Sequence, residues 1–366
     1  MKIALSGYYG FDNAGDEALL SAITSSIKRL KPSTDFVVFS GCPEKTAALH
    51  GIEAVYHKNP WQVFRKLLQV DMLISGGGSI FQDVTSARSL PYYIGVVALA
   101  KLLGKPVIFY AQGVGPINRS LSKFLMRLIG NRVDLITLRD EDSRRFLLEL
   151  GVTRPPLLVT ADPVFSLEPD AADRKNIEQL LRANGLLDKP LVGVAVRKWQ
   201  ALEGYQERLA RLLDDLAGRG YQIVFIPMAY PDDIAESRRV AGLMRADACV
   251  LDKKLRSQED LALISHLDLM IAMRLHALIF AASRGVPFAG ISYDPKVDAF
   301  LNLFGLQALP PGYAEMKAGV DTLLGDAAFQ AEIKDRSFEM RGKSEQNARL
   351  ALSLIGRDNT VRFWNE

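Results

Sequence analysis

Short, unbroken apolar runs alternate with longer segments of helical periodicity along the chain, and this alternation narrows the available folds more than any other feature. Runs at 2–6, 36–40, 71–75, 106–111, 134–138 and 157–160 read as strands in the first half. In the second half the same reading falls on 191–196, 222–227, 248–251, 268–272 and 287–292. Helical segments at 16–31, 91–103 and 120–130 separate the first set, with Ala18, Leu19, Ala22, Ile23 and Ile27 on one face of the first helix. Segments at 171–184, 203–219, 232–245, 257–265 and 275–284 separate the second. Strands with no polar alternation must be covered on both faces, and intervening helices supply that cover only when the sheet is parallel. The expected fold class is therefore α/β, with two doubly wound Rossmann-like domains facing a central cleft. Asp162-Pro163 and the polar stretch 168–175 mark the boundary. This gives an N-terminal domain over 1–165, a C-terminal domain over 166–340 and a helical segment over 341–366, with helical character already from 327.

A chain of 366 residues with 48% hydrophobic and 24% charged residues can bury two cores and is neither disordered nor fibrous. A net charge of +3 is too small to imply nucleic-acid binding. The two cysteines, Cys42 and Cys249, suit a reducing compartment rather than a disulfide framework. Met1-Lys2 leads straight into the first strand with no signal-peptide pattern, and no run of about 20 apolar residues is present for a membrane span. A cytoplasmic protein is expected.

In open parallel sheets, ligands bind beyond the carboxyl ends of the strands, so the residues following each strand carry the functional reading. The first strand exits into Gly7-Tyr8-Tyr9-Gly10-Phe11-Asp12-Asn13-Ala14-Gly15-Asp16-Glu17. The glycine spacing is wrong for a dinucleotide fingerprint, and the second strand ends in Ser40-Gly41 with no ribose-binding acid. Asn13 or Asp16 can cap the next helix, while the loop amides can meet an oxygen-rich ligand. The third strand exits into Gly76-Gly77-Gly78-Ser79, then Gln82-Asp83. Asp83 can take a proton from a sugar hydroxyl, or simply cap a helix. Gln112-Gly113 is a further backbone-exposing turn, and Arg139 is followed by acids that can pair with it.

Arg274-Leu275-His276 is the sharpest local signal. If the chain were still extended there, the guanidinium and imidazole would share a side. The first binds phosphate or carboxylate, and the second exchanges protons near neutrality. A buried histidine with Arg274 paired to Asp268 is the structural alternative. Arg197-Lys198 adds positive charge at the equivalent edge. There is no His-x-x-x-His or cysteine pair, so no metal is expected.

Taken in order, Gly7-Tyr-Tyr-Gly-Phe-Asp-Asn-Ala-Gly-Asp-Glu-Ala18, Gly76-Gly-Gly-Ser-Ile-Phe-Gln-Asp83, Gln112-Gly-Val-Gly-Pro116 and Arg274-Leu-His276 resemble the polysaccharide pyruvyl transferase family, specifically its bacterial cell-wall (CsaB-like) branch. The resemblance implies a GT-B-like fold and transfer of pyruvate from phosphoenolpyruvate, a donor substrate rather than a cofactor, to two hydroxyls of a sugar as a cyclic ketal. It implies as acceptor the N-acetylmannosamine of a lipid-linked precursor, whose pyruvylated polymer holds surface-layer proteins. On this reading His276, Asp83 and Arg274 are catalytic. Arg139, Arg197, Asn13, Gly77, Gly78, Gln112 and Gly113 bind substrates, with the donor on the C-terminal domain and the acceptor on the N-terminal one.

Two rival readings share the architecture: a nucleotide-sugar glycosyltransferase, and a non-catalytic saccharide-binding protein. A lipid-linked acceptor would bring the protein to the inner face of the membrane. Lys58–Leu68 and Leu121–Ile129 mix aromatic, aliphatic and basic residues at helical spacing. Such stretches can lie on anionic lipid, although they more often pack on a core.

Overall fold

The computed structural model describes residues 1–84, 86, 88–199 and 204–355. Two compact units emerge: Met1–Asp12 with Asp16–Leu167 and Met340–Glu366, and Asn13–Gly15 with Glu168–Glu339.

The first unit holds a seven-stranded sheet of β1 (Lys2–Ser6), β2 (Asp35–Ser40), β3 (Glu53–Tyr56), β4 (Met72–Gly76), β5 (Val107–Gln112), β6 (Leu135–Leu138) and β7 (Leu157–Val159). Its order is β3-β2-β1-β4-β5-β6-β7, and every pairing is parallel. The second unit holds five parallel strands: β8 (Leu191–Ala195), β9 (Gln222–Phe225), β10 (Ala248–Val250), β11 (Leu269–Ala272) and β12 (Phe288–Gly290), ordered β10-β9-β8-β11-β12. The central strands β1, β4, β5, β8 and β11 are almost wholly buried, as unbroken apolar runs require. In each sheet the order reverses beside its first strand, between β1 and β4 and between β8 and β11. These are topological switch points, where connections leave in opposite directions and open a crevice at the strand ends.

The strand β3 and the helix Pro43–His50 were not foreseen, because neither shows an unbroken apolar run or strong periodicity. The helical segment expected over 341–366 belongs to a longer helix that packs on the first unit. Ala348 and Ala351 of the helix Ala327–Ser353 sit in the first unit's core, and Asn347 bonds Thr160 and Ala161 beside β7. The helix start expected at 203 and the tail 356–366 lie outside the described residues.

Candidate functional site

In the second sheet, Ala195 of β8 pairs with Ala272 of β11 at the last rung, and Arg197 and Arg274 each stand two residues beyond it. Both arginines therefore flank the switch point. Arg274 is held from behind. Its Nε donates to Asp233 Oδ2 at 2.9 Å and its Nη2 donates to Oδ1 of the same carboxylate. Asp233 is buried and also accepts from the backbone N–H groups of Met228 and Ala229 at 3.2 and 2.9 Å. A carboxylate fixed by two main-chain donors orients the guanidinium as a fork. Arg197 donates from Nη1 to Tyr293 Oη at 2.9 Å and lies over the rings of Tyr293 and Trp199, at 4.6 and 5.2 Å from their centroids. Stacking of this kind orients the cation without neutralising it. Arg197 Nε, though buried, has no protein acceptor among the described residues.

His276 is not on an extended segment. Arg274 occupies the cap position of the helix Leu275–Ser283, with φ −75° and ψ 118°, so His276 falls in the first helical turn. Strand alternation therefore does not set its direction. The imidazole packs on Gly15, one of the residues grouped with this unit. A Cβ there would stand 2.1 Å from His276 Cγ and Nδ1, so only glycine admits the ring. Asn13 accepts from Gly15 N at 3.0 Å and forms an antiparallel bridge with Ala229, and Ser257 Oγ donates to Ala14 O at 3.0 Å. Asn13 thus acts by holding the short segment that walls the histidine.

The strand ends of the first unit carry a different chemistry. Arg139, one residue past β6, donates to Asp162 Oδ2 at 3.1 Å and Ser79 Oγ at 2.9 Å, with Asp140 at 3.8 Å. Its side chain is 11% exposed and lies where a Gly113 Cβ would be, 2.8 Å from Nε. Arg139, expected to grip the donor, is paired with a carboxylate of its own unit, as Arg274 is with Asp233. Gly77 and Gly78 have φ of +72° and +75°, a left-handed turn over Leu19 and Asp16. Asp16 is the feature sequence reasoning passed over as a cap. Burial and the neighbouring Glu17 raise its carboxyl to about 8 despite the attraction of Arg139.

Asp83 and Gln112 require correction. Asp83 is buried, and its two oxygens accept from Asn118 N and Arg119 N at 2.8 and 2.9 Å, just ahead of the helix Ser120–Gly130. These bonds hold its pKa below the usual value against the opposing effect of burial. A carboxylate so engaged is an anchor, ill-suited to collect a proton. Gln112 is fully buried and donates to Ser75 O, tying β5 to β4 rather than facing a ligand.

An aromatic surface was also missed, since its members come from three separate segments. Tyr8 and Phe11 are stacked 4.2 Å apart and are 43% and 39% exposed. His57 packs edge-on against Phe11, Tyr56 and Tyr92.

Two Rossmann-like parallel sheets in one chain define the GT-B-like class, and comparison with solved structures agrees. UDP-GlcNAc 2-epimerase from Neisseria meningitidis, bound to UDP-GlcNAc, matches at 10% identity over 97% of this chain and 99% of its own, with a TM-score of 0.65. Anabaena HepE, in complex with UDP-glucose, matches at 14% identity over 96% and 99%, also with a TM-score of 0.65. Within that class, the family model for polysaccharide pyruvyl transferase matches residues 13–295, and the chain belongs to that family. A curated relative, the amylovoran biosynthesis protein AmsJ of Erwinia amylovora, is 22% identical over 91% of both chains.

Proposed function

We propose that this protein transfers pyruvate from phosphoenolpyruvate to two hydroxyls of a saccharide unit, forming a cyclic ketal and releasing phosphate. The observation that carries the donor assignment is the pair Arg197 and Arg274, which flank the second sheet's switch point, with His276 two residues beyond Arg274. A small donor bearing both phosphate and carboxylate needs two oriented cations, and guanidinium forks match either group. Family membership supports pyruvyl transfer over the nucleotide-sugar alternative. The AmsJ relative supports a polysaccharide precursor as acceptor, and the N-acetylmannosamine of a lipid-linked cell-wall precursor is the finer candidate.

In this mechanism a proton from His276 converts the donor methylene to methyl, making C2 electrophilic. One sugar hydroxyl adds to C2. The second displaces phosphate from the resulting tetrahedral centre and closes the ring. Of the two hydroxyl protons lost, one balances the methyl and the other leaves on phosphate. Arg197 and Arg274 neutralise the departing phosphate and the retained carboxylate. Asp83, with both oxygens held by Asn118 and Arg119, is not assigned the role of proton acceptor. The Tyr8–Phe11 stack offers an apolar platform for a sugar face.

The test measures phosphate release from phosphoenolpyruvate with a short N-acetylmannosaminide, using wild type, Arg274→Lys and His276→Ala. Acceptor-dependent release, reduced by about 10²-fold or more in both variants, is expected. Thermal stabilisation by UDP-sugars but not by phosphoenolpyruvate would refute the donor assignment.

A further inference from the structure

Three helices cover one face of the first sheet: Pro60–Leu68, Ser89–Leu102 and Ser120–Gly130, packed through Val63, Leu67, Leu90, Val97, Ala100 and Met126. Their outer sides do not look like an ordinary solvated surface. Trp61, Leu102, Leu121 and Phe124 are 64%, 84%, 64% and 59% exposed, and Leu68 and Leu128 stand out beside them. Single exposed leucines need no explanation, but a group this size with two aromatic rings does. Trp61 is further presented by stacking on Phe64 at 5.8 Å.

Charge selects the occupant. The three helices contain Arg65, Lys66, Lys101, Lys123 and Arg127 and no aspartate or glutamate. Lys66 pairs with Glu53 and Lys101 with Asp134, while Arg65, Lys123 and Arg127 remain on the exposed side. Aromatic and aliphatic groups rimmed by uncompensated cations match the interface of an anionic bilayer, where rings enter the headgroup region and cations meet phosphates. A second copy docking by two-fold symmetry would set this basic face against itself, which like charge opposes. No helix among the described residues is long and apolar enough to cross a membrane, so the contact is peripheral. We propose that the face formed by these three helices docks on anionic lipid, an interaction independent of the donor chemistry above.

The full-length chain would be sedimented with phosphatidylcholine vesicles, with or without about one-third phosphatidylglycerol, at about 0.1 M and about 0.5 M salt. Binding to the anionic vesicles alone, weakened by salt, is expected. Trp61→Ser with Phe124→Ser should reduce partitioning about tenfold or more, as should Lys123→Glu with Arg127→Glu. Circular dichroism verifies folding of these surface variants. Equal wild-type binding to neutral and anionic vesicles, or none to either, would overturn the proposal without recourse to any variant. So would a wild-type dimer that both double variants convert to monomer.

Discussion

Gly15 lies in the first turn of the helix Ala14–Leu30, and replacing it by alanine separates the demands of that helix from those of the imidazole. In isolation the change should help, since alanine is favoured over glycine in a helix by up to about 1 kcal/mol. Here the added Cβ would stand 2.1 Å from two atoms of the His276 ring and 2.5 Å from Cδ2. Carbon atoms settle at about 3.5–4.0 Å, so the ring must shift by more than about 1 Å. Overpacking of this kind costs about 1–3 kcal/mol, leaving Gly15→Ala destabilised by about 1 kcal/mol once the helix gain is counted. In a His276→Ala background the obstacle is gone, and the same substitution should stabilise by a few tenths to about 1 kcal/mol. The coupling is therefore about 2 kcal/mol, within the range for residues in direct contact. Urea unfolding of the four proteins measures it. Phosphate release should fall about 10²-fold in Gly15→Ala, the scale for displacing a reacting group by about 1 Å. It should fall no further when Gly15→Ala is added to His276→Ala. Equal destabilisation by Gly15→Ala in both backgrounds would refute the steric reasoning, whatever the activity.

Asp83→Ala should cost about 1–3 kcal/mol in unfolding free energy, because two amides at a helix start lose their acceptor, while turnover of the folded protein is retained. Asp233→Asn should raise the Michaelis constant for phosphoenolpyruvate by about tenfold or more, through loss of the charge that orients Arg274. Burial and Glu17 raise Asp16 to about 8, so part of the folding stability should be lost as pH rises from about 4 to about 8, and Asp16→Asn should lessen that loss in urea titrations. Buried Asp260 is likewise raised to about 8 by desolvation and by Glu259. Since the folded state then holds a proton that the unfolded chain has released, stability should decline between about pH 4 and pH 8. Asp260→Asn should flatten that decline in denaturation series at several pH values.

The central strands were legible because burial on both faces leaves them no polar alternation, as Leu73–Ser75 and Leu269–Ala272 show. Arg197 and Arg274 could be found from sequence because each follows such a strand. Their partners could not. Asp233 reaches Arg274 from 41 positions away, and Asp162 reaches Arg139 from 23. Asp83 was misread for the same reason: its amide donors lie 35 and 36 residues downstream rather than on the next helix. The direction of His276 was left conditional on an extended chain, a condition that fails because the helix begins at Leu275 immediately after an extended residue. Gly15 carried a signal that one sequence cannot decode, because the reason for a glycine in a helix's first turn is a ring more than two hundred residues away.

The most direct measurement is a crystal structure with a non-hydrolysable phosphoenolpyruvate analogue bound. Its phosphonate and carboxylate are expected within hydrogen-bond distance of the Arg197 and Arg274 guanidinium groups, with the His276 ring facing the methylene carbon. An analogue seated instead on Arg139 and Ser79, with Arg197 and Arg274 untouched, would contradict the assignment of the second sheet's switch point as the donor site.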